Sequence, residues 1–203
     1  MTRSHPNLLR NRLIIIAICL IGTLPFGAAW YLAQHPERVS GGARANRGNL
    51  IDPARPLGQE RLLQHPLSPP QSMAELKGHW IMLLPVTGSS CSAACLEAAQ
   101  KTGRIHVMLS KELSRVRRLL LAAEPARAAA FAALADTDPT LLMTEASAEF
   151  RRDLEDAVGQ PLQDGMLILM DPLGNVMLWY PADFDPYAPL KDLQRLLRIS
   201  QIG

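Results

Sequence analysis

Two long apolar runs set the plan of the chain. From Leu13 to Ala33 the stretch LIIIAICLIGTLPFGAAWYLA carries no charged residue, and a run of roughly 20 residues is long enough to cross a hydrocarbon core as one helix. A second run, HWIMLLPV from His79, gives way to Thr87-Gly88-Ser89-Ser90 and then to Cys91 and Cys95. That pattern predicts a buried strand followed by a turn into a helix at the cysteines. The helix is expected from Ala94 to about Val116, a stretch without proline and rich in Ala, Leu, Lys, Glu and Gln that only Gly103 interrupts.

Further along, Arg118 to Ala123 reads as a second buried strand. Glu124-Pro125 opens an alanine-rich helix through Leu134, with the proline in the first turn where its missing N–H costs nothing. Thr140 to Met143 forms a third strand, and Ala146 to Val158 a helix with Phe150, Leu154 and Val158 on one face and Gly159 as its stop. Met166–Asp171 and Val176–Tyr180 flank Pro172-Leu173-Gly174 as a hairpin. Asp185-Pro186 then starts a last helix striped by Leu190, Leu193 and Leu197.

The stretch between the two long runs is different. Residues 34–70 are rich in Pro, Gly and Arg and read as a tether, whose second half, with Leu50, Ile51 and Leu57 among several prolines, is an extended segment along the domain surface. Ser72 to Gly78 is one short helical turn closed by glycine. The expected organisation is therefore residues 1–12, a transmembrane anchor at 13–33, a tether at 34–70 and a folded domain at 71–203. Alternating strands and helices ending in a hairpin make the class α/β with a parallel centre, the plan of a thioredoxin-like domain behind a single transmembrane helix.

Charge refines this picture. The formal balance is only +2, arginines are scattered and aromatics few, which excludes the basic, aromatic-lined footprint of a nucleic-acid binder. Arg3, Arg10 and Arg12 before the apolar run, with no acidic residue, place the N-terminus in the cytoplasm, although Arg38, Arg44 and Arg47 follow on the other side with Glu37. The folded domain is then expected in the periplasm of a bacterial inner membrane, where a cysteine pair can be oxidised. A cleaved signal peptide is the competing reading of the first run, but its apolar region would be shorter, and Trp30-Tyr31 suit an interfacial anchor. Cys19, inside that run, reads as a small apolar side chain.

The run Leu76-Lys77-Gly78-His79-Trp80-Ile81-Met82-Leu83-Leu84 leading to Cys91-Ser92-Ala93-Ala94-Cys95, with Leu169-Met170-Asp171-Pro172-Leu173-Gly174 near the end, resembles the Sco/SenC family over about residues 70 to 200. The resemblance implies a membrane-anchored thioredoxin fold that helps assemble the copper centre of cytochrome c oxidase, with oxidase subunits or other assembly factors as partners and Cu(I) as a candidate ligand. The sequence departs from the family at two places. Prolines around the cysteines are replaced by Ser92, Ala93, Ala94 and Leu96, and the family's ligand histidine before the hairpin is missing from Gln160-Pro161-Leu162-Gln163-Asp164-Gly165-Met166.

No other histidine fills the gap. His79 lies at the far end of its strand, over 20 Å away at roughly 3.3 Å per residue. His106 lies about 16 Å along the helix from Cys95. His5 is on the other side of the membrane, and His35 and His65 are in the tether. Three readings of the pair stand. Cys91 at a helix N-terminus is the nucleophile of a thiol–disulfide oxidoreductase, with Cys95 resolving. Alternatively, both thiolates bind Cu(I) with Met166 or Asp164 as third ligand. The third reading is a static pair in a non-catalytic assembly module.

Overall fold

The computed structural model describes residues 6–35, 46–123 and 128–200. It divides into two compact units, Met1–Ala45 and Asn46–Gly203. In the first, helix α1 (Pro6–Gln34) is continuous through Pro25, and its stretch Arg10–Gln34 is long and apolar enough to cross a membrane. Arg3, His5, Glu37, Arg38, Arg44 and the Glu124-Pro125 helix start lie outside the described residues.

In the second unit the order is β1 (Asn49–Pro56), α2 (Pro70–Ala74), β2 (Trp80–Pro85), α3 (Ala93–Met108), β3 (Val116–Ala123), α4 (Ala132–Thr137), β4 (Leu141–Ala146), α5 (Ala148–Val158), β5 (Leu167–Met170), β6 (Asn175–Tyr180) and α6 (Tyr187–Ile199). The six strands form one sheet in the order β1-β6-β5-β2-β3-β4. β2, β3 and β4 are parallel, whereas β5, β6 and β1 each run antiparallel to their neighbour.

β2 is buried along its whole length because both sheet faces are covered. Met82 and Leu84 face a layer built on α3 and α6, with Ala98, Ile105, Leu193 and Leu197. Ile81 and Leu83 face a second layer with Leu62, Phe150, Leu154 and Ile168.

Several elements differ from their sequence expectations. α3 ends at Met108, well before Val116, and the polar stretch Ser110–Arg115 makes 3-10 turns instead. Ser110 adopts φ 53°, outside the helical region, so the chain turns there toward β3, whose first residue Val116 pairs with Trp80. The buried His106 ring lies across this turn, its Nε2 3.1 Å from Leu113 O and 3.0 Å from Val116 O.

Residues 46–70, expected to be tether, belong to the compact unit. Asn49–Pro56 pairs antiparallel with β6 as an edge strand, through an irregular register between Leu50 and Arg55. An edge position tolerates Pro53 and Pro56, which a central strand would not. The chain then passes beneath the sheet through Leu62, and His65–Leu67 bonds to the free side of β4, where Glu145 N donates to His65 O at 2.9 Å and Leu67 N to Met143 O at 3.0 Å. One segment thus covers the free side of β4 and supplies a proline-containing edge strand beside β6, and prolines on an edge discourage the strand pairing that promotes aggregation.

Candidate functional site

The carboxyl ends of β2 and β3, the start of α5 and the loop before the antiparallel β5 meet at one end of the sheet. β2 delivers Pro85 and Val86 to that end, and Thr87-Gly88-Ser89-Ser90 crosses it as exposed loop. Cys91 and Cys95 are joined there by a disulfide with a Cα separation of 5.3 Å.

Ser92, between them, caps α3: its side chain accepts from Cys95 N at 3.3 Å and its carbonyl from Leu96 N at 2.9 Å. Cys91 thus stands immediately before the cap, and Cys95 is in the first turn. The two sulfurs differ in access, because Cys91 is half-buried whereas Cys95 is closed inside the α3 layer with Ala98 and Ala99. When the pair is reduced, unpaired N–H groups and the helix dipole favour a thiolate on Cys91.

Asp164 fixes the loop. Its Oδ1 accepts from Thr87 N at 2.7 Å and from Thr87 Oγ1 at 2.8 Å, and Ser92 also donates to the carboxylate. Burial pushes this carboxyl up, but the hydrogen bonds from Ser92 and Thr87 outweigh it and hold it below the usual range. From the other side Arg151, in the first turn of α5, donates Nη1 to Val86 O at 3.1 Å. Burial lowers the Arg151 pKa, partly offset by the charges of Glu155 and Asp164.

Gly165 completes the site by what it lacks. Its φ is +87°, and a Cβ there would stand 3.0 Å from Ala182 Cβ and 3.2 Å from Ala94 Cβ. The backbone before β5 therefore rests directly on the turn between the cysteines, and small residues on both sides permit the approach.

Of the residues nominated from sequence, the structure brings together Cys91, Cys95 and Asp164. Met166 is buried in the other layer, among Ile51, Phe150 and Ile168, with the sheet between it and Cys95. His79 sits at the start of β2 with Nδ1 3.0 Å from Lys77 O, and His106 packs under the turn after α3. His65 is exposed beside β4. Thr87, Arg151 and Gly165 had not been singled out, although the Asp164-Gly165 pair is a turn signature that could have marked the loop.

A three-ligand copper centre needs a third donor beside the two sulfurs. Two sulfurs are in place, Asp164 is occupied by Thr87 and Ser92, and Met166 faces away. Among the described residues no three His, Cys, Asp or Glu side chains are grouped to hold a metal. The residues present do not fit such a centre.

A family model for a transmembrane-like, thioredoxin-like, C-terminal domain matches residues 80–200, which includes the disulfide, the Asp164 loop and the hairpin. The chain belongs to this family. No curated protein matches the sequence. Among solved structures, this transmembrane-like, thioredoxin-like domain is similar to apo Sco1 from Thermus thermophilus, with a TM-score of 0.52 and 18% identity over 77% of this chain and 99% of that one. It is also similar to yeast Sco1, with a TM-score of 0.51 and 17% identity over 63% of this chain and 84% of that one. Yeast Sco1 with copper bound aligns with a TM-score of 0.49 and 17% identity over 63% of this chain and 80% of that one. The two likenesses with TM-scores above 0.5 show the Sco-type thioredoxin fold.

Proposed function

We propose that the chain is a membrane-anchored thiol–disulfide exchange protein serving respiratory oxidase biogenesis, with Cys91 and Cys95 as its working pair. The observation that carries this reading is the asymmetry of the disulfide: an approachable Cys91 immediately before a helix N-terminus and a Cys95 shielded behind it. In the reduced protein the Cys91 thiolate attacks one sulfur of a partner disulfide, and the partner's other sulfur leaves as thiolate. Cys95 loses its proton to water and attacks Cys91 Sγ, re-forming the intramolecular bond and releasing the partner's second thiolate. The partner gains two electrons and this pair loses two. Asp164 and Arg151 hold the loop on which Cys91 rides.

The setting rests on α1 and on the Sco-type fold. With the N-terminus cytoplasmic, as Arg10 and Arg12 favour, the compact unit stands in the bacterial periplasm. Oxidase subunits or their assembly factors are the partner class, and Cu(I) is cargo in the second form of this reading, since two thiolates suit it.

The test is complementation. In cells lacking the protein, the wild-type chain restores assembled cytochrome c oxidase, and the Cys91→Ser/Cys95→Ser chain, present at equal level in the membrane, does not. Full restoration by the double variant would make the domain a non-catalytic assembly module.

A further inference from the structure

The end of the compact unit opposite the disulfide has a different character. β2 starts there at Trp80, beside Val116 of β3 and next to the end of β5, so it lies roughly 20 Å from the cysteines at about 3.3 Å per residue. α3 ends at Met108 and α6 at Ile199 on this side, and the hairpin turn contributes Leu173.

Val107, Met108, Leu113, Leu173 and Ile199 all lie here, while elsewhere the described part of the unit exposes only Leu50, Leu96 and Tyr187 among its large apolar side chains. The exposure is extensive: Val107 is 72%, Leu173 71% and Ile199 71% open. Val107, Met108, Leu173 and Ile199 line three neighbouring hollows. Met108 borders the hollow holding Arg104 and Val107 and also the hollow holding Lys111 and Arg198. Arg198 is followed by Ile199, which shares a third hollow with Trp80 and Leu173.

Charge at this end is arranged unevenly. Three carboxylates are paired within the fold, Glu112 by Arg115 at 2.9 Å, Glu75 by Arg117 at 3.2 Å and Asp138 by Arg118 at 2.7 Å; Asp171 accepts from Leu173 N and from Asn175, and Asp136 is exposed. Arg104, Lys111 and Arg198 have no ion pair with any described residue. Exposed apolar tips interleaved with unpaired cations are what an interfacial membrane site requires, because the apolar groups enter the headgroup boundary while Lys and Arg meet anionic lipid.

We propose that this pole, centred on Val107, Met108, Ile199, Arg104, Lys111 and Arg198, docks the compact unit onto an anionic phospholipid surface and leaves the disulfide pole free for its partner. Charge complementarity selects lipid; the chain enters the unit on the disulfide side, where Asn49 pairs with Trp179, and residues 35–45, which at roughly 3.3 Å each reach about 36 Å, separate it in sequence from a helix apolar enough to span a bilayer. A nearby bilayer is therefore present at high effective concentration. The surface is independent of the exchange chemistry, so its failure leaves the thiol reading untouched.

The experiment is hydrogen–deuterium exchange on the full chain reconstituted in nanodiscs of phosphatidylcholine alone or with phosphatidylglycerol. The expected result is slower exchange in residues 104–115 and 196–200 only in the anionic discs, reversed by high salt. Each basic residue removed lowers the docked-to-free ratio about fivefold, so Arg104→Glu/Lys111→Glu/Arg198→Glu abolishes the protection while exchange in β2 stays unchanged as the folding control. A milder Val107→Ser/Ile199→Ser chain weakens it as well. Equal exchange in both lipids overturns the proposal. So does protection that grows with the number of chains per disc, which would assign the surface to a second copy, or protection that appears only when a protein partner is added.

Discussion

At the scale of single residues, Asp164 binds the loop before β5 to the loop that carries Cys91, accepting from Thr87 and Ser92. A carboxylate beside the start of α3 has two effects: it orders the loop, and its charge opposes a thiolate on Cys91. Asp164→Asn keeps the shape and an acceptor oxygen but removes the charge. It should lower the Cys91 thiol pKa, because a neighbouring negative charge opposes the thiolate. The check is the pH profile of Cys91 alkylation, read by mass spectrometry so that Cys19 and Cys95 are counted separately. A Cys91 pKa that is unchanged or raised would show that the carboxylate does not act on the thiol. Because the folded Asp164 pKa is depressed, its contribution to loop order is fully present above the ordinary carboxylate value near pH 4 and is lost as the pH falls through the depressed one. The sequence exposed the cysteines through their spacing and position after an apolar run. It did not expose Arg151 or Thr87, because their roles are backbone contacts across long sequence separations that no local pattern encodes.

At the scale of elements, the agreement between sequence and structure follows burial. β2, α5, the hairpin and α6 were legible because each carries its own period and its own stop, such as Gly159 in the left-handed region at φ 76°. β1 was legible only as an extended segment, since its prolines argue against a central strand and its pairing with β6 depends on a partner far along the chain. The end of α3 was misplaced because helix propensity continues past Met108, while tertiary structure turns the chain there over His106.

Gly103, which reads as a weak point in α3, lies under the buried Arg118 guanidinium: a Cβ there would be 3.4 Å from Arg118 Nη2. Arg118 reaches from β3 to donate to Ala99 O at 2.6 Å and to Asp138 at 2.7 Å, cross-linking the α3 layer to the start of β4. Asp138→Ala leaves that buried cation without its counter-charge. Removing one partner of a buried pair costs roughly 3–5 kcal/mol, and because the Asp138 side chain is 26% exposed the expected loss is nearer about 2 kcal/mol. Urea unfolding of the detergent-solubilised chain measures it, and a loss under about 0.5 kcal/mol would mean that Thr140 and the Ala99 carbonyl satisfy Arg118 without the carboxylate.

At the scale of the whole molecule, one sheet separates two ends with different equipment: a disulfide held by the Asp164 and Arg151 contacts at one, an apolar and basic surface at the other. The α/β class and the order of elements followed from the alternation of patterns, whereas the division into poles did not, since it depends on which helix ends share a side of the sheet. A Cys91–Cys95 bond that is made and broken in exchange differs from a structural one in its reduction potential. The measurement is thiol trapping of the full chain equilibrated in thiol–disulfide buffers of stepped potential. The expected result is a single two-electron transition confined to Cys91 and Cys95, with a midpoint between about −120 and −270 mV, the range of exchange proteins. A pair that stays oxidised below about −300 mV, as structural disulfides do, would contradict it.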